Sequence, residues 1–281
     1  MKPIIYIAAA VLLLASCTPD SENLTLGAKP NASFTATLLA ANPNKVALQN
    51  TTTGAFSYTW YNGGANPVSW KKTDTLTFSK KGEYTISLVA YGAGGSSSVS
   101  QKVTIAQDMA GTDILKGGNM EPGAEAHWTI LNTGGPQTSI TFTGGKLKFV
   151  NQPGGSNGAI YQELTVKKDV TYTFSGIVKG GGAAETWFEV IFGTTPPAQG
   201  SDYSGNKWNS INTWAGCGIA DFEGDLAVIG CDGTGKDKGG KISFTTAGKV
   251  YMLIKGGCTG AGTFGPNGIT IDDVKFIEEA Q

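Results

Sequence analysis

Trp187-Phe188-Glu189-Val190-Ile191-Phe192 is the stretch on which the reading of the fold turns. In an extended chain Phe188, Val190 and Phe192 fall on one side, and Trp187, Glu189 and Ile191 on the other. The first side is wholly apolar and belongs to a core. The second sets an indole beside a carboxylate. The neighbouring sequence repeats the theme, with short Val, Ile, Thr, Tyr and Phe runs separated by Gly, Pro and Asn turns. Strands are predicted over 146–151, 159–166, 171–178, 186–192, 217–220, 226–229, 241–245, 250–254 and 269–277. Upstream, Glu83-Tyr84-Thr85-Ile86-Ser87-Leu88-Val89 alternates in the same way, with Tyr84, Ile86 and Leu88 on one face. It sits among strands predicted over 32–39, 56–61, 75–79, 82–90 and 97–105, with Gly92-Ala93-Gly94-Gly95 as a hairpin loop and Trp60 as a core plug. No long helical periodicity follows the first residues, and 41 glycines punctuate the chain. The class is all-β.

The N-terminus reads as an address. Lys2 precedes an apolar run over 4–14, and Leu14-Ala15-Ser16-Cys17 follows. A charged start, an apolar core and small residues before a cut site describe a secretion signal. The run is short of the ~20 residues a spanning helix needs. Its end resembles the lipobox of bacterial lipoproteins, which implies that residues 1–17 are a lipoprotein signal peptide with Cys17 lipidated. Residues 18–28, with Asp20 and Glu22, read as a tether. Secretion permits disulfides. Cys217 and Cys231 are placed to staple a loop, and Cys258 is an alternative partner for either.

Residues 29–106 resemble the PKD domain, an immunoglobulin-like sandwich. The resemblance rests on Phe56-Ser57-Tyr58-Thr59-Trp60, Lys81-Gly82-Glu83-Tyr84-Thr85-Ile86-Ser87-Leu88 and Val103-Thr104-Ile105. The acidic turn that usually follows the family's Trp reads Tyr61-Asn62-Gly63-Gly64-Ala65 here. Such a module implies a spacer. Residues 107–112 read as a linker.

Residues 113–281 resemble the β-jelly-roll carbohydrate-binding modules of families 4, 9 and 22. The matching stretches are Gly118-Asn119-Met120-Glu121-Pro122-Gly123 with Trp128, taken as a first strand, then Ala159-Ile160-Tyr161-Gln162-Glu163-Leu164 leading into Val170-Thr171-Tyr172-Thr173-Phe174-Ser175, and the closing Ile269-Thr270-Ile271-Asp272-Asp273-Val274-Lys275-Phe276. Residues 194–238 lie outside the resemblance. It implies a structural Ca²⁺ at Glu121 and Asp272, and a polar sugar contact at Gln162 on the concave sheet face.

Sugar recognition uses flat aromatic faces with hydrogen-bonding groups at their edges. Trp187 and Glu189 supply one such pair. The segment 200–216 carries Tyr203, Trp208 and Trp214 among polar residues and reads as a loop. Aromatics in a polar loop suit binding; the bland alternative is a loop anchored by its own rings. The candidate carbohydrate-binding set is therefore Trp187, Glu189, Trp208, Trp214, Tyr203 and Gln162. A net charge of −1 gives no reason to expect nucleic acid. His127 is the only histidine, and no Gly-x-Ser-x-Gly, P-loop or dinucleotide motif stands in a suitable context, so no enzyme is expected.

The whole resembles the surface glycan-binding lipoproteins of Gram-negative polysaccharide-utilisation systems. That implies a non-catalytic lipoprotein of the outer membrane, facing outward, which captures a neutral polysaccharide such as the β-glucan laminarin beside a transporter and a hydrolase. The competing readings are a surface adhesin or scaffold and, behind it, a glycoside hydrolase.

Overall fold

The computed structural model describes residues 26–280. The signal peptide, Cys17 and most of the tether lie outside the described residues. Among those described, no helix is long and apolar enough to cross a membrane. Contacts divide the chain into two units, with the boundary between Met109 and Ala110.

The first unit is a sandwich of two three-stranded antiparallel sheets. One joins β1 (Phe34–Leu39), β2 (Asn42–Asn50) and β4 (Thr73–Thr77). The other joins β3 (Ser57–Tyr61), β5 (Gly82–Gly92) and β6 (Gly95–Ile105). Trp60 is sealed between them, with its Nε1 donating to the Lys71 carbonyl at 2.8 Å and Phe34 standing edge-on at 5.0 Å. Ile86 and Leu88 of β5 join it, as the alternation requires. Each such fully buried side chain contributes roughly 1.5–3 kcal/mol. The β5–β6 turn needs Gly94, because a Cβ there would run into the backbone of Gly27. Sequence reading missed β2. Its inward alternation of Asn44, Val46, Leu48 and Asn50 is masked by the asparagines at its ends and by Pro43.

The second unit is a larger sandwich. Its seven-stranded sheet holds β7 (Thr112–Asp113), β9 (Ser139–Thr143), β10 (Lys146–Val150), β12 (Thr171–Gly180), β15 (Phe222–Asp225), β16 (Lys241–Ser243) and β18 (Ile269–Glu278). Its five-stranded sheet runs in the order β14 (Asn206–Asn212), β13 (Ala184–Gly193), β17 (Gly248–Thr263), β11 (Ser156–Val166), β8 (Thr129–Leu131). Phe188, Val190, Phe192, Met252, Ile254, Ile160 and Leu164 fill the core from the five-stranded side. Phe149, Tyr172, Phe174 and Phe276 meet them from the seven-stranded side.

Three local expectations are corrected. Leu226–Ile229 is a helical turn, α1, because Asp225 caps it by accepting from the Ala227 amide at 2.9 Å. The segment 217–220 forms no strand. The opening 118–123 is not a strand either. It runs through turns, with Met120 at φ 51°, into a 3₁₀ turn at Ala124–His127.

Candidate functional site

The outward face of the five-stranded sheet is organised as transverse rows, because directly paired residues project to the same side. One row reads Asn157, Gly257, Trp187, Asn212. The next reads Leu131, Ala159, Lys255, Glu189, Ser210. A third reads Thr129, Tyr161, Leu253, Ile191, Lys207.

Over part of this face lies the segment 194–204. Its Gly200 amide donates to the Asn132 carbonyl at 2.9 Å, and the Gln199 amide group bridges Asn132 and Ile130. Leu131, Ala159, Ile191, Leu253, Tyr251 and Tyr203 form a closed apolar cluster beneath it. Its end is fastened by Asp202, which pairs with Lys255 at 2.8 Å and accepts from Asn157 Nδ2 at 3.0 Å.

Trp187 lies flat on the row it belongs to. A Cβ on its cross-strand neighbour Gly257 would overlap the indole. Trp214 extends this surface. The two rings are 6.2 Å apart between centroids and inclined by 28°. Trp187 is half-buried, whereas Trp214 is 59% exposed. Trp214 sits in a 3₁₀ turn, Thr213–Ala215, capped by Asn212, whose Oδ1 accepts from the Trp214 amide at 3.0 Å. Cys217 follows, and its disulfide to Cys231 fastens the end of β14. The Cys231 amide donates to Ser210 and the Cys217 amide to Asn212. Cys258 is free and buried.

Charges frame the indoles. Lys207 and Asn212 Nδ2 both donate to Asp232 Oδ2. These bonds hold the Asp232 carboxyl below the usual carboxylate range. Glu189 stands between Lys255 and Ser210 in its row. Burial pushes its carboxyl up; Lys255 and Lys207 oppose that, while Asp232 and Asp202 add to it.

The sequence candidates separate sharply. Trp187, Glu189 and Trp214 share the open face. Trp208 does not. The stretch read as one loop contains β14, and Trp208 enters the core at a bulge in the β13–β14 pairing, leaving it 4% exposed. Tyr203 is 6% exposed and donates its hydroxyl to the Thr195 carbonyl, so it anchors the 194–204 segment. Gln162 alternates with Ile160 and Leu164 and faces inward. Its amide bonds the Lys116 backbone and the His127 carbonyl, tying down the opening segment. Lys255, Lys207, Asn157, Asn212, Asp202 and Gly257 adjoin the candidate site and were missed, while Asp232 reads in the sequence as part of an acidic turn, either solvated or accepting from hydroxyls. Period-two alternation through Tyr251, Leu253, Lys255 and Gly257 was the available signal for two of them.

Calcium takes six to eight oxygen ligands. Asp272 is committed to Lys146 at 3.2 Å, while Glu121 lies against Gly145. Among the described residues, no cluster of three or more His, Cys, Asp or Glu gathers. As placed, Glu121 and Asp272 do not fit the ion.

No family model matches the chain, and no curated protein matches it. Solved structures do. A PKD1 domain of the Vibrio cholerae metalloprotease PrtV is 25% identical over 28% of this chain and 100% of its own, with a TM-score of 0.25. TmCBM61, solved in complex with β-1,4-galactotriose, is 14% identical over 60% of this chain and 99% of its own, with a TM-score of 0.33. The tandem CBM22 domains of Paenibacillus barcinonensis Xyn10C are 11% identical over 89% of this chain and 91% of theirs, with a TM-score of 0.32. At TM-scores of this size, none of these likenesses decides what the chain does.

Proposed function

We propose that the second unit binds carbohydrate on the outward face of its five-stranded sheet, without catalysis. The observation that carries this reading is the stacked pair of half-buried Trp187, on the sheet face, and Trp214, 59% exposed in the turn beside it. Neither ring belongs to a core cluster of the second unit. They match the CH-rich face of a pyranose ring, and bind it with little loss of rotamer freedom. Glu189, Asn212, Lys207 and Asp232 lie around them as hydroxyl partners. The disulfide and the Asn212 cap hold Trp214 in place before a ligand arrives, which lowers the ordering cost of binding.

Affinity electrophoresis of the protein through gels carrying soluble neutral glycans tests this. Retardation by at least one glycan is expected; free migration through all of them overturns the reading. The finer proposals are a β-glucan such as laminarin as the ligand, and a lipid anchor at Cys17 in the outer membrane, facing outward beside a transporter and a hydrolase. Tight calorimetric binding of xylan or mannan with none of laminarin would remove the first. Persistence of fatty-acid labelling in Cys17→Ser would remove the second.

A further inference from the structure

Trp208 and Tyr203 leave the sheet-face site, yet both line another cavity of the same unit. It measures about 680 Å³ and is walled on its apolar side by Phe192, Trp208 and Phe244. Neither Trp187, Glu189 nor Trp214 borders it. Pockets that take small ligands span about 300–1,000 Å³.

The hydrogen-bonding groups of this cavity are unbalanced. No Asp or Glu lines it, in a chain that carries 22 of them. Two lysines do, Lys238 and Lys241. Glu279 neutralises Lys241 at 3.3 Å. Lys238 holds its ammonium 4.9 Å from the centroid of the Trp208 ring and pairs with no carboxylate among the described residues. The Nε1–H of Trp208 is buried with no acceptor. That donor has no surface that a ligand could reach, so the choice of ligand charge rests on the ammonium of Lys238, which favours an anion. Ser204, Ser243 and Thr194 add hydroxyls at the wall. A purely aliphatic or aromatic acid would leave these hydroxyls without partners; a polyhydroxylated ring would not.

We propose that this cavity is a second ligand site and takes a sugar acid. The carboxylate of a hexuronate meets Lys238, its CH face lies on the Phe244 side, and its hydroxyls bond the serines. The cation–π contact with Trp208 holds Lys238 in position beforehand. The site is independent of the sheet-face reading, because it shares none of the residues that carry it.

The test is a titration of the ¹⁵N-labelled full chain with D-glucuronate, followed at the indole N–H resonance of Trp208. D-glucose and benzoate serve as the neutral and the non-sugar probe. A saturable shift with glucuronate is expected. It weakens about tenfold in Lys238→Ala, as for loss of a charged hydrogen bond. It persists in Lys238→Arg and is unchanged in Trp214→Ala. Lys238 is exposed, so its replacement spares the fold. No shift with glucuronate overturns the proposal. An equal response to glucose, a stronger response to benzoate, or a wild-type response in Lys238→Ala does the same.

Discussion

Trp187 and Gly257 are directly paired across β13 and β17, and the indole of the first lies on the backbone of the second. The proposed site depends on that position of β17 carrying no side chain. Gly257→Ala would put a methyl group into the ring and press on the Ser156 carbonyl as well. Overpacking of this kind costs about 1–3 kcal/mol. The expected outcome is a moderate fall in Tm together with loss of glycan binding, since Trp187 must tilt off the sheet. Thermal melts and glycan titration of the variant check it. Unimpaired binding would show that the ring's position is irrelevant.

Glu189 gives a pH signature. Burial raises its folded carboxyl above the ordinary glutamate value. Between the ordinary and the raised value the folded chain holds the proton more firmly than the unfolded chain does. Stability therefore falls as pH rises through that window, and the deficit persists above it. Glu189→Gln removes the ionisation. It is expected to raise Tm at neutral pH and to have no such effect in acid below the window, while weakening binding. Melting curves across pH decide, and an equal shift at every pH would assign the effect to something other than charge.

The Cys217–Cys231 bond closes a loop of about the length for which chain-entropy reasoning gives roughly 3 kcal/mol. Cys217→Ser with Cys231→Ser is expected to lower stability by that order. It should also loosen Trp214, so affinity falls while the fold survives. Denaturant melts paired with binding measurements test this. Undiminished affinity would mean that the staple does not serve the site.

Chelation offers a contrast with the jelly-roll modules that the sequence resembles. Because Asp272 is held by Lys146, EDTA is expected to leave Tm unchanged. A clear drop on chelation, restored by calcium, would show that the lysine yields its place to a metal.

The two-layer architecture was legible wherever alternation was clean, as in Glu83-Tyr84-Thr85-Ile86-Ser87-Leu88-Val89 and Trp187-Phe188-Glu189-Val190-Ile191-Phe192. It was illegible where polar residues turn inward. Asn209 turns into the core opposite Val190, and Ser210 is buried on the outer face beside Asp232, so their composition disguised β14 as a loop and carried Trp208 into the wrong class. Gln162 misled for the same reason, being a polar residue that serves the backbone of the opening segment. Trp187 and Trp214 were legible as candidates, but not as partners. Their stacking depends on the pairing of β13 with β14 and on the capped turn after it, which no local pattern encodes.

The most direct measurement is a calorimetric titration of wild type and Trp214→Ala with a glycan that retards the wild-type protein in the gel. Trp214 is largely exposed, so its truncation should change stability by no more than about 0.5 kcal/mol. Loss of an aromatic anchor costs about 2 kcal/mol or more, close to thirtyfold in affinity. A folded Trp214→Ala protein with binding weakened to that degree is the expected result. Wild-type affinity in that variant, or the absence of any glycan to titrate, would contradict the placement of a sugar on these two indoles.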